Sequence, residues 1–570
     1  MTPRRPRPLV HGTWRTALIA LVALCLGATH AQSSARLPAF PLDLVRPGLT
    51  GYGLTMGPGD QLERFEVRVL ALQPGFGPGG LPLVLVETRG ALIDAAGGVA
   101  AGMSGSPVYL DHAGERMLLG AIGYVFPDAD GRLALVTPIE AMRAHVGMAG
   151  STAGPDGAAA GLPAGAQPVA TPLLVAGLGP RALALLEDTV TDAASHPLAL
   201  VQAGGAGSTA TAPPSLEPGS AMAIALVRGD VDIAAIGTVT EVFGDELLGL
   251  GHPFFGIGAS AWVLAPASVT AVVPNRRVPF KLGVVGPEVL GTVVEDRPAG
   301  VAARLGVEPP LLSVTLTIDA GGERSVLRFD VVTAEPLWPA LVGVATLEAL
   351  DRTWRQVSAG SARLAWELEL AGGPPLRLLE EVSHQGDVAL AAARMAAAPL
   401  ALLAGNPFET PRPSSLQLLI EVDDVRRDGE LVEALLEAGP VAAGGTVGLF
   451  VRLQPWRRQS EVHGFTVTLP EALAEGAELV VRGAAEPRDD EHEGGIDTVI
   501  LSYAELLTVL RERPRSGDLV IEVRGADGRW QLLERRSFPY LVRGVERVPL
   551  VMSESEPPTG QEGEQDDDAN

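Results

Sequence analysis

Cysteine is almost missing from this chain. Its 570 residues include one, Cys25, which lies in an apolar N-terminal stretch expected to be removed. The mature chain then has no disulfide, no thiolate nucleophile and no cysteine-ligated metal. Lysine is equally scarce: Lys281 is the only one, and every other basic side chain is an arginine. That reads as compositional bias, and the sequence attaches no function to it. Cations are outnumbered, 43 Lys and Arg against 68 Asp and Glu, for a net charge of −25. Nucleic acid is therefore not an expected partner, because binding phosphates needs clustered cations. Aromatic residues make up 4% and charged residues 19%, low for a typical cytosolic enzyme. None of the nine histidines pairs with another at a metal-ligand spacing such as His-x-x-x-His, so neither a metal nor another cofactor is expected. Beyond the N-terminus no apolar run is long enough to span a membrane.

Glycine and proline are plentiful, with 68 and 47 residues spread along the chain. They fit many short strands joined by tight turns, and the length implies several domains. Arg4, Arg5, Arg7 and Arg15 precede an apolar run from Ala17 to Ala28, and Thr29-His30-Ala31 offers a cleavage site before Gln32. This is the layout of a cleaved signal peptide. A soluble protein exported to the periplasm, the cell envelope or the medium is expected.

Composition and periodicity divide the chain into eight parts. These are a signal peptide (1–31), a serine-bearing β-barrel half (38–146) and a linker with a short helical segment (147–217). A histidine-bearing β-barrel half (218–310) and an α+β segment (311–405) follow. The last three are a β-sandwich-like domain (411–485), a C-terminal α+β segment (486–553) and an acidic tail (554–570) expected to be disordered. Arg64 to Leu70 alternates polar and apolar as a half-buried strand does, whereas Leu81 to Val86 reads as a buried strand. Asp111 to Glu115 reads as a hairpin connection, Pro180 to Glu187 as a helix, and Leu416 to Val422 as the first sandwich strand. The fold class expected is mainly β, with a double β-barrel core, small α/β additions and a C-terminal sandwich.

One hexapeptide carries the chemistry. Gly102-Met103-Ser104-Gly105-Ser106-Pro107 sits between a Gly-containing extended approach and a strand-like exit. A nucleophilic serine needs its hydroxyl on a tight turn, with backbone N–H groups aimed at a developing oxyanion. Gly102 and Gly105 permit such a turn, and Pro107 favours leaving it at a strand start. The N–H groups of Gly102 and Ser104 are the oxyanion-hole candidates. The serine also needs a base, normally a histidine oriented by a third group. No histidine of the mature chain precedes Ser104, so a histidine base must come from later. His252, in Gly249-Leu250-Gly251-His252-Pro253-Phe254-Phe255-Gly256, is the best candidate, at a strand end beside two aromatics. Asp296, following the apolar Gly291-Thr292-Val293-Val294, is the candidate orienting acid. His112, His145, His196, His384, His463 and His492 read as surface.

The octapeptide from Ala101 to Val108 resembles the nucleophile motif of the SpoIVB peptidase family of sporulation proteases, serine-peptidase family fifty-five. The likeness continues through Gln61 to Val67, Gly97-Gly98, Leu119 to Ile122 and Thr137 to Glu140. Separately, Ala235 to Thr240 followed by Leu250-Gly251-His252 is similar to the family's histidine-bearing half. The resemblance implies a trypsin-like double barrel, with serine and histidine from different halves, and peptide-bond hydrolysis. Two departures stand out. The serine half comes first here, and Arg89 stands roughly where the family has an acidic residue. The reading is an exported serine endopeptidase acting on a protein or peptide through Ser104, His252 and Asp296. The alternative is an inactive, peptidase-like binding or scaffold protein of the envelope. A carbohydrate-active or adhesive β protein has only the sandwich behind it. Substrate specificity and oligomeric state are not readable from the sequence.

Overall fold

The computed structural model describes residues 36–144, 162, 164–193, 198–202, 215–275, 278–333, 337–437, 439–487 and 502–552. The segment read as a signal peptide, with Cys25, and the segment read as an acidic tail lie outside the described residues. The chain is mainly β, 51% strand against 16% helix, and its core is two closed six-stranded antiparallel barrels. The double-barrel expectation is met.

The first barrel comprises β1 (Thr50–Gly57), β2 (Gln61–Gln73), β3 (Leu83–Arg89), β4 (Pro107–His112), β5 (Glu115–Val125) and β6 (Leu133–Pro138). The strands pair in the order β4-β1-β2-β3-β6-β5 and close through β4 and β5. In β2 the alternation read from sequence is realised, with Phe65, Val67 and Val69 buried and the residues between them turned outward. The β4–β5 connection is the hairpin expected, its two central residues Ala113 and Gly114 at φ +54° and +83°. A short helix, α1 (Ala91–Ala96), leads from β3 toward the serine turn, and α2 (Ile139–Ala144) follows β6.

The stretch read as linker holds more structure than expected. It contains β7 (Gln167–Pro168), which pairs with β5, then β8 (Thr171–Ala176), α3 (Pro180–Ala193) and β9 (Leu198–Gln202). β8 and β9 are parallel, so the helix is a crossover between them.

The second barrel runs through β10 (Ala221–Gly229), β11 (Asp232–Phe243), β12 (Glu246–Gly249), β13 (Gly258–Val273), β15 (Gly291–Arg297) and β16 (Gly300–Leu305). Its order is β10-β13-β15-β16-β12-β11, closed by β10 and β11. β14 (Phe280–Val285) pairs only with β13 among the named strands. β18 (Glu323–Val332), reached from β17 (Leu311–Ala320), extends this sheet from β10. β19 (Gly360–Leu370), β20 (Leu376–His384) and β21 (Pro413–Asp423) complete it in the order β20-β19-β21-β17-β18. Helices α4 (Trp338–Trp354) and α5 (Val388–Ala404) pack on each other and on this sheet. The strand read as the first of the sandwich, Leu416 to Val422, is therefore an interior strand here, parallel to β17 and antiparallel to β19.

The sandwich has two four-stranded sheets over one core. One contains β22 (Asp428–Leu436), β23 (Thr446–Pro455), β24 (Glu461–Thr468) and β28 (Leu541–Arg543). The other contains β25 (Glu478–Gly483), β26 (Asp518–Arg524), β27 (Trp530–Ser537) and β29 (Val545–Pro549). The two segments separated on composition thus share one apolar core, with α6 (Tyr503–Glu512) contributing Leu506 and Leu510 to the large core of the preceding sheet.

Candidate active site

The serine turn begins where the chain leaves α1. The chain bends at Val99, and Ala101 forms a bridge to β14: its N–H donates to Pro279 O at 2.6 Å, and Lys281 N–H donates to Ala101 O at 3.0 Å. Gly102 and Gly105 then adopt φ of +88° and +93°, the left-handed region that glycine tolerates. Met103 N–H closes on Ala100 O and Ser106 N–H on Met103 O, both at 2.9 Å, so the chain turns twice within seven residues. Gly105 N–H and Ser106 O fasten the exit to Ile122 of β5.

The second barrel is built against this turn. Thr238 N–H donates to Ser104 O at 2.8 Å, and the Thr238 hydroxyl donates to Gly102 O at 2.9 Å. The Thr240 hydroxyl caps Gly105 O at 2.8 Å. A Cβ on Gly105 would lie 1.9 Å from Thr238 O and 2.6 Å from Leu250 N, so glycine is required by contact as well as by φ. The turn is fully buried at the seam.

Ser104 Oγ has no hydrogen-bond partner among the described residues, and the backbone N–H groups of Gly102 and Ser104 donate to none of them. Buried polar groups are ordinarily paired, so an unpaired one calls for an explanation, a chemical role among them; Ser106 Oγ on the same turn is unpaired among the described residues as well. A hydroxyl and two unengaged donors on one turn are the parts of an acyl-transfer site.

His252 comes to the same seam. Leu250 and Gly251 take φ of +63° and +70°, turning the chain out of β12, and Thr137 of β6 donates to Gly251 O at 2.5 Å. The segment with His252 is thereby pinned to the strands beside the serine turn. The ring is buried, edge-on to Tyr124 at 6.3 Å. Its Nδ1 lies 2.7 Å from Pro253 O and, since a carbonyl only accepts, carries the proton. Burial pushes its pKa down to about 4, so the imidazole is neutral at pH 7. It makes no hydrogen bond to Ser104 Oγ.

Asp296 does not orient the imidazole. Its Oδ1 accepts from Phe254 N–H at 2.7 Å, and its Oδ2 accepts from Phe255 and Gly256 N–H at 2.7 and 2.6 Å. The carboxyl is spent on the loop that follows His252, and the position beside the ring that it was expected to fill is held by Pro253 O. Burial raises its pKa to about 6, against backbone N–H groups that pull it down. Arg89 is exposed and paired with Glu87.

The residue missed from sequence is Lys281. It is fully buried on β14, with its methylenes against the turn: a Cβ on Gly102 would sit 3.2 Å from Lys281 Cδ. Its Nζ donates to Thr55 Oγ1 of β1 at 2.8 Å and to Thr238 Oγ1 of β11 at 3.4 Å. No carboxylate pairs with it among the described residues, and burial brings its pKa from 10.5 down to about 7. The one available signal was its uniqueness: the single lysine of the chain is at the site.

Of the remaining histidines, His112 and His384 are exposed and His463 is half-buried beside Glu461; His145, His196 and His492 lie outside the described residues. No group of three or more His, Cys, Asp or Glu among the described residues is arranged to hold a metal ion. No described helix is long and apolar enough to cross a membrane. Scanned against protein-family models, curated proteins and solved structures, the chain matches none of them.

Proposed function

We propose that this is an exported serine endopeptidase in which Ser104 attacks the scissile carbonyl. The N–H groups of Gly102 and Ser104 receive the oxyanion, and a buried nitrogen base of the second barrel takes the serine proton. The observation that carries this reading is the serine turn itself: a buried hydroxyl and two N–H donors without partners among the described residues, met at the seam by His252 and Lys281. The likeness of Ala101 to Val108 to the SpoIVB peptidase nucleophile motif points the same way, and the N-terminal leader pattern supports export. His252 Nδ1 lies against Pro253 O, and the Val169 backbone also engages the ring. His252 is the base expected from sequence.

A second reading, a peptidase-like binding or scaffold protein of the envelope, draws on burial: Ser104, His252 and Lys281 have no exposed surface in the resting fold. A fluorophosphonate probe separates the two. The peptidase reading expects covalent labelling of the wild-type chain that is lost in Ser104→Ala. A folded wild-type chain that takes no label favours the scaffold.

A further inference from the structure

The second barrel offers the serine turn two nitrogens, and they are held differently. His252 is attached to the seam through the backbone of its loop, and its ring is engaged by Pro253 O. Lys281 is attached to the turn directly and at three levels. Its backbone is hydrogen-bonded to Ala101. Its methylenes lie on Gly102, where any side chain would displace them. Its amine reaches the Thr238 hydroxyl, which itself caps Gly102 O, while the N–H of Thr238 holds Ser104 O.

We propose that Lys281 is the group that takes the proton from Ser104 Oγ, making this a serine–lysine site in which Thr55 and Thr238 position the amine. This inference rests on the peptidase reading above and names the base that reading requires.

The hydrogen-bond valences support it. The Thr238 hydroxyl spends its hydrogen on Gly102 O, so toward Lys281 it can only accept. A neutral amine has two N–H donors and one lone pair. Two threonine oxygens accept the donors and leave the lone pair over; Nζ makes no hydrogen bond to Ser104 Oγ in the resting fold, so the serine must close on it when substrate binds. An ammonium in the same place would have a third N–H with no partner among the described residues and no counter-charge, which burial penalises. No charged side chain from β1, β11, β13 or the turn faces the amine among the described residues; burial alone sets its acidity. At pH near 7 a base of pKa about 7 is matched to its task, whereas an imidazole held near 4 is a weak acceptor.

The step balances. As Ser104 Oγ forms its bond to the scissile carbonyl carbon, its proton passes to the Lys281 lone pair. The resulting ammonium gives that proton to the departing amine as the C–N bond breaks, leaving an acyl-serine and a neutral lysine. Water then attacks the ester, passing one proton to Lys281, which returns it to Ser104 Oγ as the acid leaves.

The single lysine makes the test unusually direct. Lysine labelled with ¹³C at Cε gives one side-chain resonance, and its pH titration in the wild-type chain reads Lys281 alone. The expected midpoint is near 7, and the rate of fluorophosphonate labelling should rise with the same midpoint. Lys281→Met and Lys281→Arg, checked for retained fold by circular dichroism, should label Ser104 at least about a hundredfold more slowly. An amine that stays charged to pH 9 overturns the proposal, as does labelling of folded Lys281→Met within threefold of wild type. If either occurs while wild-type Ser104 still labels, the peptidase reading stands and its base is elsewhere. If wild type takes no label although Lys281 titrates near 7, the peptidase reading falls, and this assignment falls with it. Should the Met variant fail to fold, the wild-type titration still decides.

Discussion

The barrel at 50–138 and the barrel at 221–305 share six strands, antiparallel pairing and closure, yet they bury different chemistry. Among the described residues, the buried polar side chains of the first are all hydroxyls: Thr55, Thr88, Ser104, Ser106 and Thr137. The second buries Glu241, His252, Lys281, Glu295, Asp296 and Arg297 besides its own hydroxyls. Glu295 and Arg297 pair with each other, and Glu241 pairs with Arg36 and Arg143. The three that remain, His252, Lys281 and Asp296, are the three nominated for the site or its support. One barrel therefore supplies a backbone shape with a hydroxyl on it, and the other supplies the titratable groups. Neither barrel alone holds both the serine turn and the buried titratable groups, so whatever parts the seam separates the two.

The strongest way to break this division is at the turn. Gly105→Ala would force a left-handed alanine into the Thr238 carbonyl, where no flexible side chain can yield. We expect a loss of roughly 3 kcal/mol or more, read as a lower urea midpoint, together with loss of Ser104 labelling.

In acid, His252 and Asp296 of the second barrel titrate with opposite signs. The folded chain holds His252 near 4 against 6.5 when free, so its stabilising contribution is complete above about 6.5 and is lost as pH falls through about 4. The slope is at most about 1.4 kcal/mol per pH unit. Lys281 obeys the same sign higher up: stability rises between about 7 and 10.5, and Lys281→Met should flatten that rise. Asp296, raised to about 6 from 3.8, offsets His252 between about pH 4 and 6, so midpoints of thermal unfolding from pH 4 to pH 10, read in wild type and below pH 7 also in Asp296→Asn, check both windows.

Asp296→Asn tests the carboxylate that ties down the loop after His252. The amide turns one acceptor into a donor facing backbone N–H groups, at a cost of about 1–3 kcal/mol. Because Asp296 acts on the loop and not on the ring, labelling of Ser104 should fall less than stability does, as parallel labelling and denaturation curves would reveal. Thr240→Val, which removes only the cap on Gly105 O, should be the mildest, about 1 kcal/mol in urea denaturation, with the Lys281 titration unmoved.

Much of the fold was legible because it is carried by local pattern. The alternation of Arg64 to Leu70 became the alternating burial of β2, and the Ala113-Gly114 turn became a tight hairpin. Leu416 to Val422 was correctly read as a strand but assigned to the wrong sheet. Alternation says that one face is buried, and it is silent on which neighbour buries it. The linker stretch hid a parallel β-α-β unit for the same reason, since β9 finds its partner only across the crossover helix.

At the site the same boundary holds. The sequence by itself determined the serine turn, because φ near +90° at Gly102 and Gly105 and the strand exit at Pro107 are properties of those residues. It also determined that a histidine base, if used, had to come from later in the chain than Ser104. Only the tertiary structure decided what the turn meets. Asp296 lies far along the chain from Phe254 to Gly256, yet three backbone N–H groups there claim its carboxylate. Lys281 looked like a relic of composition, because nothing local distinguishes a lone lysine in a strand. Its acidity follows from burial between Thr55, Thr238 and Gly102, residues drawn from both barrels, and burial is set by the packing of the whole.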